Sequence, residues 1–438
     1  MSVNRLYRII CLSLSLFLFA CSFNVKQVLS QPKQENVDNK VKYKDLMLFG
    51  EVFEKIRNLY VTKPNDRNLI ENALQGMLTS LDPHSSYMNE KDTQEFNANT
   101  FGSFGGLGIE VTLENGYVKV IAPIEGGAAE KAGVMAGDLI VKIDGASTKG
   151  QSLNKSVSKM RGKIGDPITI EVLRKNHKDL LKFDLIRSLV NVKSVTAEAI
   201  DQVAYAKIST FSTKTAVDLK SNLDKIIKQI TPAKLKGIII DLRLNSGGLL
   251  DQAVQVSDLF LSNGEIVSTK GRIERSNFHF FAKTQDMFKN IPLIVLINGG
   301  SASASEIVAG ALKDHKRAIL LGTKTFGKGS VQTLVPLAKE DGSLRITTAL
   351  YYTPAGKSIQ GAGIKPDIIV EQPLPQDIKD GTFNIGESSL AGHIKGENEV
   401  DEEESGSNAY VPKDRAEDVQ LKVAIELLHG KIKHEALK

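Results

Sequence analysis

Apolar residues in the second half of the chain follow two alternating patterns. Short continuous apolar runs predict strands at 203–211, 237–243, 292–299, 318–325, 331–337 and 344–353. Apolar residues at helical spacing between these runs predict amphipathic helices at 214–230, 249–261 and 303–315. Strands that alternate with helices are typical of layered α/β proteins, so residues 191–370 are expected to form an α/β core.

In the first half of the chain, apolar residues recur at helical spacing in two stretches. The first begins at Tyr43 and continues through LMLFGEVFEKIRNLY, and the second is NLIENALQGMLTSL at 68–81. Residues 43–100 are therefore expected to form a small helical region, which ends at LDPHSSYM (81–88) and an Asn-rich connection.

Residues 101–190 change to short β patterns separated by glycine turns. In FGGLGI (104–109), glycine conformations can turn successive backbone N–H groups toward one anion, such as the terminal carboxylate of a peptide. The carboxylate-binding residues predicted here are Gly105, Gly106, Leu107, Gly108 and Ile109. AGDLIVKIDG (136–145) then predicts a turn capped by Asp138, a buried strand and a second turn. A Gly-rich loop alone is often only a turn, but this loop and this run together resemble a PDZ domain.

The C-terminal part changes character twice. Residues 371–411 lack a periodic pattern and carry the acidic run ENEVDEEES (397–405), which is typical of a solvated flexible linker. Residues 412–438 contain an amphipathic repeat at 414–430, which predicts a last helix. We expect this helix to pack on the N-terminal helices or on a second subunit, the latter suggesting a homodimer.

Residues 1–30 have the features of an export signal. Arg5 and Arg8 precede an apolar run at 9–21 that is short for a membrane span. Cleavage after 28–30 would release a soluble protein, lipid on Cys21 would anchor it, and an uncleaved segment would itself be an anchor. In each case the body of the protein is expected in a bacterial periplasm or cell envelope, with possible membrane association.

The amino-acid composition limits which reactive groups and which partners this protein can use. Both cysteines, Cys11 and Cys21, lie in the signal, so the exported body would have no thiol for a disulfide, a nucleophile or a metal site. A formal charge of +5 over 438 residues favours neither nucleic acid nor an acidic polymer as a partner. Hydroxyl, carboxylate, lysine and histidine side chains remain as the reactive groups.

The stretch NGGSASASEIVAGALK (298–313) is the first candidate for chemistry. A strand enters Gly299 and Gly300 and is followed by a helix, so a hydroxyl on Ser303 would lie at the positive end of the helix dipole. The same letters fit a capping box with Ser303 as the N-cap and Glu306 three residues on. The stretch alone leaves both interpretations open, because a nucleophilic hydroxyl needs an activating base.

Two kinds of base are available. The histidines are His84, His177, His279, His315, His393, His429 and His434. The nearest in sequence, His315, would lie about 18 Å from Ser303 along the helix axis, which is out of reach. Lys328 has a glycine on each side in GTKTFGKGSVQTLV (322–335), which lets it point inward. To act as a base it must lose its charge, which means a pKa about 3 units below its free value of about 10.4.

Further groups would complete a site of this kind. Two interpretations of Gln332 stay open: its amide oxygen orients the Lys328 amine, or it is an ordinary strand residue. The backbone N–H of Ala304 follows the nucleophile and would face a developing oxyanion. A second donor is expected at Gly247 or Gly248 in DLRLNSGGLL (241–250), unless this is a plain strand-to-helix turn.

Four motifs in order behind the PDZ-like region resemble the carboxyl-terminal processing peptidases, also called tail-specific proteases. They are DLRLNSGGLL, NGGSASASEIVAGAL, GTKTFGKGSVQ and TTALYYTPAGKSIQGAGIKPD. The resemblance implies Ser303 as nucleophile, Lys328 as base and Gln332 as its orienting partner, with Gly247, Gly248 and Ala304 at the oxyanion hole. It leaves Ser301 and Ser305 to the turn and the helix start. It also implies no metal or nucleotide cofactor, and a crotonase-like α/β core with an inserted PDZ domain and a helical N-terminal cap.

The expected function is that of an exported serine endopeptidase that cleaves proteins near their C-termini, with the PDZ domain holding the terminal tail. Two alternatives come from other classes. One is a non-catalytic PDZ adaptor of the cell envelope, and the other is a hydrolase that pairs Ser303 with a distant histidine.

Overall fold

The computed structural model describes residues 43–124, 126–338, 341–375, 386–397 and 406–432. The chain divides into two compact units, one up to Ile70 and one from Glu71 onward. Among the described residues no helix combines the length and apolar character needed to cross a membrane. The predicted export signal, with Cys11 and Cys21, lies outside these residues.

The predicted N-terminal helices are present, with one helix that the sequence did not reveal. Helix α1 covers Tyr43–Leu59 and helix α2 covers Asp66–Thr79. The short strand β1, Ser86–Met88, leads into helix α3, Glu90–Phe101, where an Asn-rich connection was predicted. The side chain of Asn89 caps α3, so the asparagine there marks a helix start.

Residues 103–191 form the PDZ-like region. Its elements are β2 Ser103–Gly106, β3 Ile109–Glu114, β4 Tyr117–Pro123, α4 Ala128–Lys131, β5 Leu139–Ile143, β6 Ala146–Ser147, α5 Leu153–Met160, β7 Pro167–Leu173, β8 Leu181–Ile186 and β9 Ser188–Asn191. Strands β3, β4, β5, β7 and β8 make one antiparallel sheet, and β2 pairs with β9. Asp138 accepts the Met135 N–H as predicted, and it also pairs with Arg174. The sheet has its own apolar cluster, which includes Val120 and Ile140.

Residues 195–369 form the predicted α/β core. Its strands are β10 Val195–Ile200, β11 Val203–Ile208, β12 Gly237–Asp241, β13 Glu265–Lys270, β14 Phe278–Phe281, β15 Leu293–Ile297, β16 Ile319–Gly322, β17 Ser330–Pro336, β18 Ser343–Tyr352 and β19 Ile368–Ile369. Its helices are α6 Thr215–Ile230, α7 Leu250–Asp258 and α8 Ala304–Asp314. Strands β10, β11, β12, β15, β16 and β19 form one sheet, parallel from β11 onward. A second, antiparallel sheet joins β1, β18, β13 and β14, with β17 on β18.

The parallel pairing explains why distant motifs meet. Strand β12 pairs with β15, with Asp241 opposite Leu296. Both strands therefore end at the same edge of the sheet, where β12 leads into the glycine turn of DLRLNSGG and β15 leads into the serine run. Helices α7 and α8 follow these two turns and pack in one apolar core with the sheet.

The C-terminal helix packs elsewhere than predicted. Helix α9, Val419–Leu428, buries its apolar side chains in one cluster with residues of the parallel sheet, including Ile239 and Ile294. Its N-cap, Asp418, pairs with the buried Arg243 just after β12. The sequence did not predict this packing on the parallel sheet, while packing on a second subunit, with the homodimer that it suggests, stays a prediction.

The predicted linker is also partly structured. Short 3-10 helices occur at Glu274–Ser276, Glu387–Ser389 and Arg415–Glu417. Glu387 is fully buried and its N–H donates to the Phe326 carbonyl. Residues 386–397 are thus packed against the core, while nearly all of the acidic run lies outside the described residues.

Candidate active site

The three serines of the SASAS run have different surroundings. The Ser301 hydroxyl donates to the Leu242 carbonyl at 2.8 Å, and the Ser305 hydroxyl donates to the Asn245 carbonyl at 2.8 Å. Both are fully buried and tie the serine turn to the glycine turn after β12. Ser303 lies between them at the N-cap of α8 and lines a cavity. Only Ser303 is therefore placed to meet a substrate.

The backbone at Ser303 is strained. Its φ of 56° and ψ of −113° lie outside the regions that L-residues with a Cβ normally adopt. Such a conformation persists only where the surroundings impose it, and Ser303 lines the cavity in this conformation. A residue held in this way at a strand-to-helix turn fits a nucleophile better than a plain helix cap.

Glu306 holds the nucleophile and the base segments together. Its carboxylate accepts the Ser303 N–H at 2.8 Å, which is one half of the predicted capping box. It also accepts the N–H groups of Gly327 at 2.7 Å and Lys328 at 2.9 Å, and the Thr325 hydroxyl at 2.5 Å. Burial raises the pKa of Glu306 to about 7, and these hydrogen bonds oppose that rise. The sequence indicated the cap but not the link to Lys328, which only the fold creates.

Lys328 loses its charge more readily than a free lysine. Its Nζ donates to the amide oxygen of Gln332 at 2.6 Å and to the Ser330 carbonyl at 3.1 Å. Burial lowers its pKa to about 8, and the neighbouring charges act in both directions: Glu387, Glu306 and Asp82 raise it, and Arg345 lowers it. A neutral amine has two N–H donors and one lone pair, so these two acceptors leave the lone pair available.

The cavity brings five of the predicted residues together. It measures about 620 Å³, and its lining includes Ser303, Lys328, Gln332, Gly247 and Gly248. Ser303 Oγ and Lys328 Nζ share this cavity but do not form a hydrogen bond with each other in the described part of the chain. Of the described histidines none lines it, and His84 instead contacts Glu387 through Nε2 at 2.9 Å. The shared cavity favours lysine over histidine as the partner of Ser303.

The predicted oxyanion donors differ in their availability. The Gly248 and Ala304 N–H groups have no acceptor within the described ranges, whereas the Gly247 N–H donates to Asn245 Oδ1 at 2.9 Å. Gly247 is therefore not a free donor, unlike the prediction. Its φ is 111°, and an added Cβ would lie 2.9 Å from Ser303 Cβ, so glycine there lets the turn approach the nucleophile.

The predicted carboxylate loop lies in the PDZ-like region, away from the Ser303 cavity. None of the residues 105–109 lines that cavity. The carbonyls of Leu107 and Gly108 accept N–H groups from Ala129 and Ile124, and Gly108 has a positive φ of 70°. A second cavity of about 690 Å³ includes Gly105, and α3 lines both cavities. Carboxylate binding by this loop stays a prediction.

The sequence is similar to known peptidases over most of its length. The sequence matches the model of peptidase family S41 over residues 202–370, a PDZ domain model over 105–185 and the activating protease CtpB N-terminal domain model over 16–93. A carboxy-terminal-processing protease of Bartonella bacilliformis is 52% identical over 420 residues, which cover 96% of this chain and 95% of that protein. A probable CtpA-like serine protease of Staphylococcus epidermidis is 33% identical over 391 residues, covering 87% and 78%.

Among solved structures, a photosystem II D1 C-terminal processing protease is 28% identical, with a TM-score of 0.44. The match covers 75% of this chain and 94% of that one.

A PDZ domain joined to an S41 peptidase core is the class of protein that the matched models define. The chain belongs to the carboxy-terminal-processing proteases of peptidase family S41. The family that the four motifs indicated is thereby confirmed, as is the PDZ domain.

Proposed function

We propose that this protease is a serine endopeptidase in which Ser303 is the nucleophile and Lys328 the general base. The observation that carries this proposal is the state of the Lys328 amine. It is buried, its pKa is lowered to about 8, and both of its N–H groups have acceptors in the cavity that Ser303 lines. A lysine in these conditions is neutral in an appreciable fraction of molecules near neutral pH and has a lone pair to accept a proton.

The reaction proceeds through an acyl-enzyme. The lone pair of Lys328 Nζ takes the Ser303 proton as Oγ forms a bond to the scissile carbonyl carbon. The negative charge on the carbonyl oxygen is stabilised by the N–H groups of Gly248 and Ala304 and by the N-terminus of α8. The ammonium then gives its proton to the leaving nitrogen as the C–N bond breaks. Water then forms a bond to the acyl carbon as the same amine takes its proton, and the ammonium returns this proton to Ser303 Oγ as the bond between Oγ and the acyl carbon breaks.

Substrates are proteins or peptides with a free C-terminus. The N–H groups of residues 105–109 bind the terminal carboxylate, and the tail lies as an added strand in the PDZ groove. Phe96, Leu249, Val331 and Leu334 give the Ser303 cavity an apolar wall, which favours small or apolar side chains near the cleaved bond. No metal or other cofactor takes part in these steps.

The test uses purified protein and a model protein substrate with either a free or an amidated C-terminus. We expect efficient cleavage of the free form, weak cleavage of the amidated form, and none by the Ser303→Ala and Lys328→Ala variants. Equal cleavage of both substrates would refute tail recognition. Full activity of Lys328→Ala would refute the Ser–Lys pair and favour a histidine base.

The same proposal includes location and architecture. The n-region and apolar run of residues 1–30 support export to the periplasm or cell envelope, soluble or membrane-associated. The sheets and helices of residues 195–369 support a crotonase-like core, and α1 and α2 support a helical N-terminal region. Fractionation of cells that produce the tagged full chain tests the location, and recovery in the cytoplasm would contradict it.

A further inference from the structure

The segment LDPHSSYM, which the sequence marks only as the end of the helical region, is connected to the catalytic lysine. Thr347 on β18 is the cross-strand partner of Gln332 on β17. Gln332 Nε2 donates to Thr347 Oγ1 at 3.1 Å, and Thr347 Oγ1 donates to Asp82 Oδ1 at 3.1 Å. A chain of hydrogen bonds therefore runs from Lys328 through Gln332 and Thr347 to Asp82, across strand β18.

The direction of the Gln332 amide decides whether Lys328 can act as a base. An amide has nearly the same shape with its oxygen and NH₂ group exchanged. With the oxygen toward Lys328, the amine donates an N–H and keeps its lone pair. With the NH₂ group toward Lys328, the amide donates to that lone pair, which then cannot take the Ser303 proton.

The immediate neighbours of the amide do not fix this direction by themselves. Gln332 Nε2 lies 3.0 Å from Ser330 Oγ and 3.1 Å from Thr347 Oγ1. A hydroxyl can donate or accept, so either end of the amide could face them. An ionised carboxylate only accepts, and Asp82 takes the single hydrogen of Thr347. Thr347 Oγ1 can then only accept from Gln332, which turns the NH₂ group to Thr347 and the oxygen to Lys328.

Asp82 is held as an acceptor by its own segment. It is 3% exposed and accepts the N–H groups of His84 at 2.8 Å and Ser85 at 2.9 Å, and the Ser85 hydroxyl at 2.7 Å. Burial alone would raise the pKa of Asp82, but the hydrogen bonds from Ser85, His84 and Thr347 hold it below its usual value. The carboxylate is therefore ionised at neutral pH.

We propose that Asp82, acting through Thr347, is a positioning residue that fixes the Gln332 amide with its oxygen on Lys328. This inference rests on the proposed Ser–Lys mechanism and adds to it two residues that act through Gln332. Neither Asp82 nor Thr347 lines the Ser303 cavity, and they work by leaving the lone pair of Lys328 free.

The main test compares Thr347→Val with Thr347→Ser. Valine keeps the shape without the hydroxyl and without any change of charge near Lys328. We expect kcat/KM to fall about tenfold, since a single misdirected hydrogen bond is worth about 1 kcal/mol or slightly more. The acidic limb of the pH profile should move to lower pH, because an NH₂ group facing the amine favours its neutral form. Thr347→Ser, which keeps the hydroxyl, should restore both values.

A double-mutant cycle separates positioning from general structure. In a Gln332→Ala background, Thr347→Val should have no further effect, because no amide remains to be turned. An undiminished effect in that background, or a Thr347→Val enzyme with the wild-type rate and pH profile, would overturn the proposal. Thr348→Val is the matched control, since Thr348 is the next residue of the same strand and its hydroxyl contacts Thr333 at 2.7 Å instead.

Asp82→Ala tests the origin of the effect. Its loss of activity should be smaller in the Thr347→Val background than in the wild type. Equal losses in both would mean that Asp82 acts by charge alone and would contradict the proposal. If Asp82→Ala does not fold, the Thr347 comparisons still decide the question. Activity of the Ser303→Ala or Lys328→Ala enzyme would instead refute the Ser–Lys mechanism itself, so the two failures are distinguishable.

Discussion

Replacing Lys328 by methionine should abolish activity and make the protein more stable at neutral pH. Burial lowers the pKa of Lys328 from 10.5 to about 8, so the folded protein disfavours the charged amine. The unfolded chain, where the lysine titrates normally, binds more protons between these two values. The free energy of unfolding therefore rises with pH in this range. The destabilisation caused by the Lys328 amine is largest below pH 8.

The magnitude follows from the size of the shift. A shift of this size corresponds to about 3 kcal/mol of destabilisation at pH 6.5, and to less than about 1 kcal/mol at pH 10. Methionine removes this penalty, but it leaves the Gln332 amide oxygen without its donor, which costs about 1 kcal/mol at any pH. A net gain of about 2 kcal/mol is expected at pH 6.5, with no gain or a small loss at pH 10.

The assay is denaturant or thermal unfolding of Ser303→Ala and of Ser303→Ala with Lys328→Met. The Ser303→Ala background prevents self-digestion. Lys225→Met, at an exposed lysine of α6, is the matched control and should show no pH-dependent gain. A gain from Lys328→Met that is absent, or equal at pH 6.5 and pH 10, would refute the inference that the folded protein lowers the pKa of this amine.

Three further results are expected. The kcat/KM of the wild-type enzyme should rise with pH through an apparent pKa near 8, the value of Lys328, whereas a midpoint near pH 6.5 would point to a histidine base. Gly247→Ala should reduce the acylation rate at least about a hundredfold in a burst assay, because its Cβ would lie 2.9 Å from Ser303 Cβ at a φ of 111°; a wild-type burst would contradict this. Arg243→Met should lower the free energy of unfolding by about 3–5 kcal/mol in urea, since it leaves the buried carboxylate of Asp418 unpaired; a smaller loss would mean that α9 does not depend on this pair.

The sequence was a good guide wherever local pattern decides local structure. The apolar runs and helical repeats of residues 203–353 correspond to strands and helices with ends shifted by a few residues. The local sequence also predicts the strand-to-helix turns at Gly247 and Ser303, since glycine and an N-cap serine influence the conformation of the backbone at their own positions. The same reasoning misses α3, because an asparagine that caps a helix, such as Asn89, looks in sequence like an asparagine in a loop.

The sequence by itself determined the order of the domains, the family and the types of residue available for chemistry, because these depend on neighbours along the chain. The fold alone decided which groups share an environment. Glu306 bonded to both the Ser303 and Lys328 segments, Asp82 reaching Gln332 through Thr347, and the burial of helix α9 on the parallel sheet all join residues far apart in sequence. The pKa of a lysine depends on its burial and on charges from several segments of the chain. The residue pattern of one segment cannot predict which charges and apolar groups the other segments place around it.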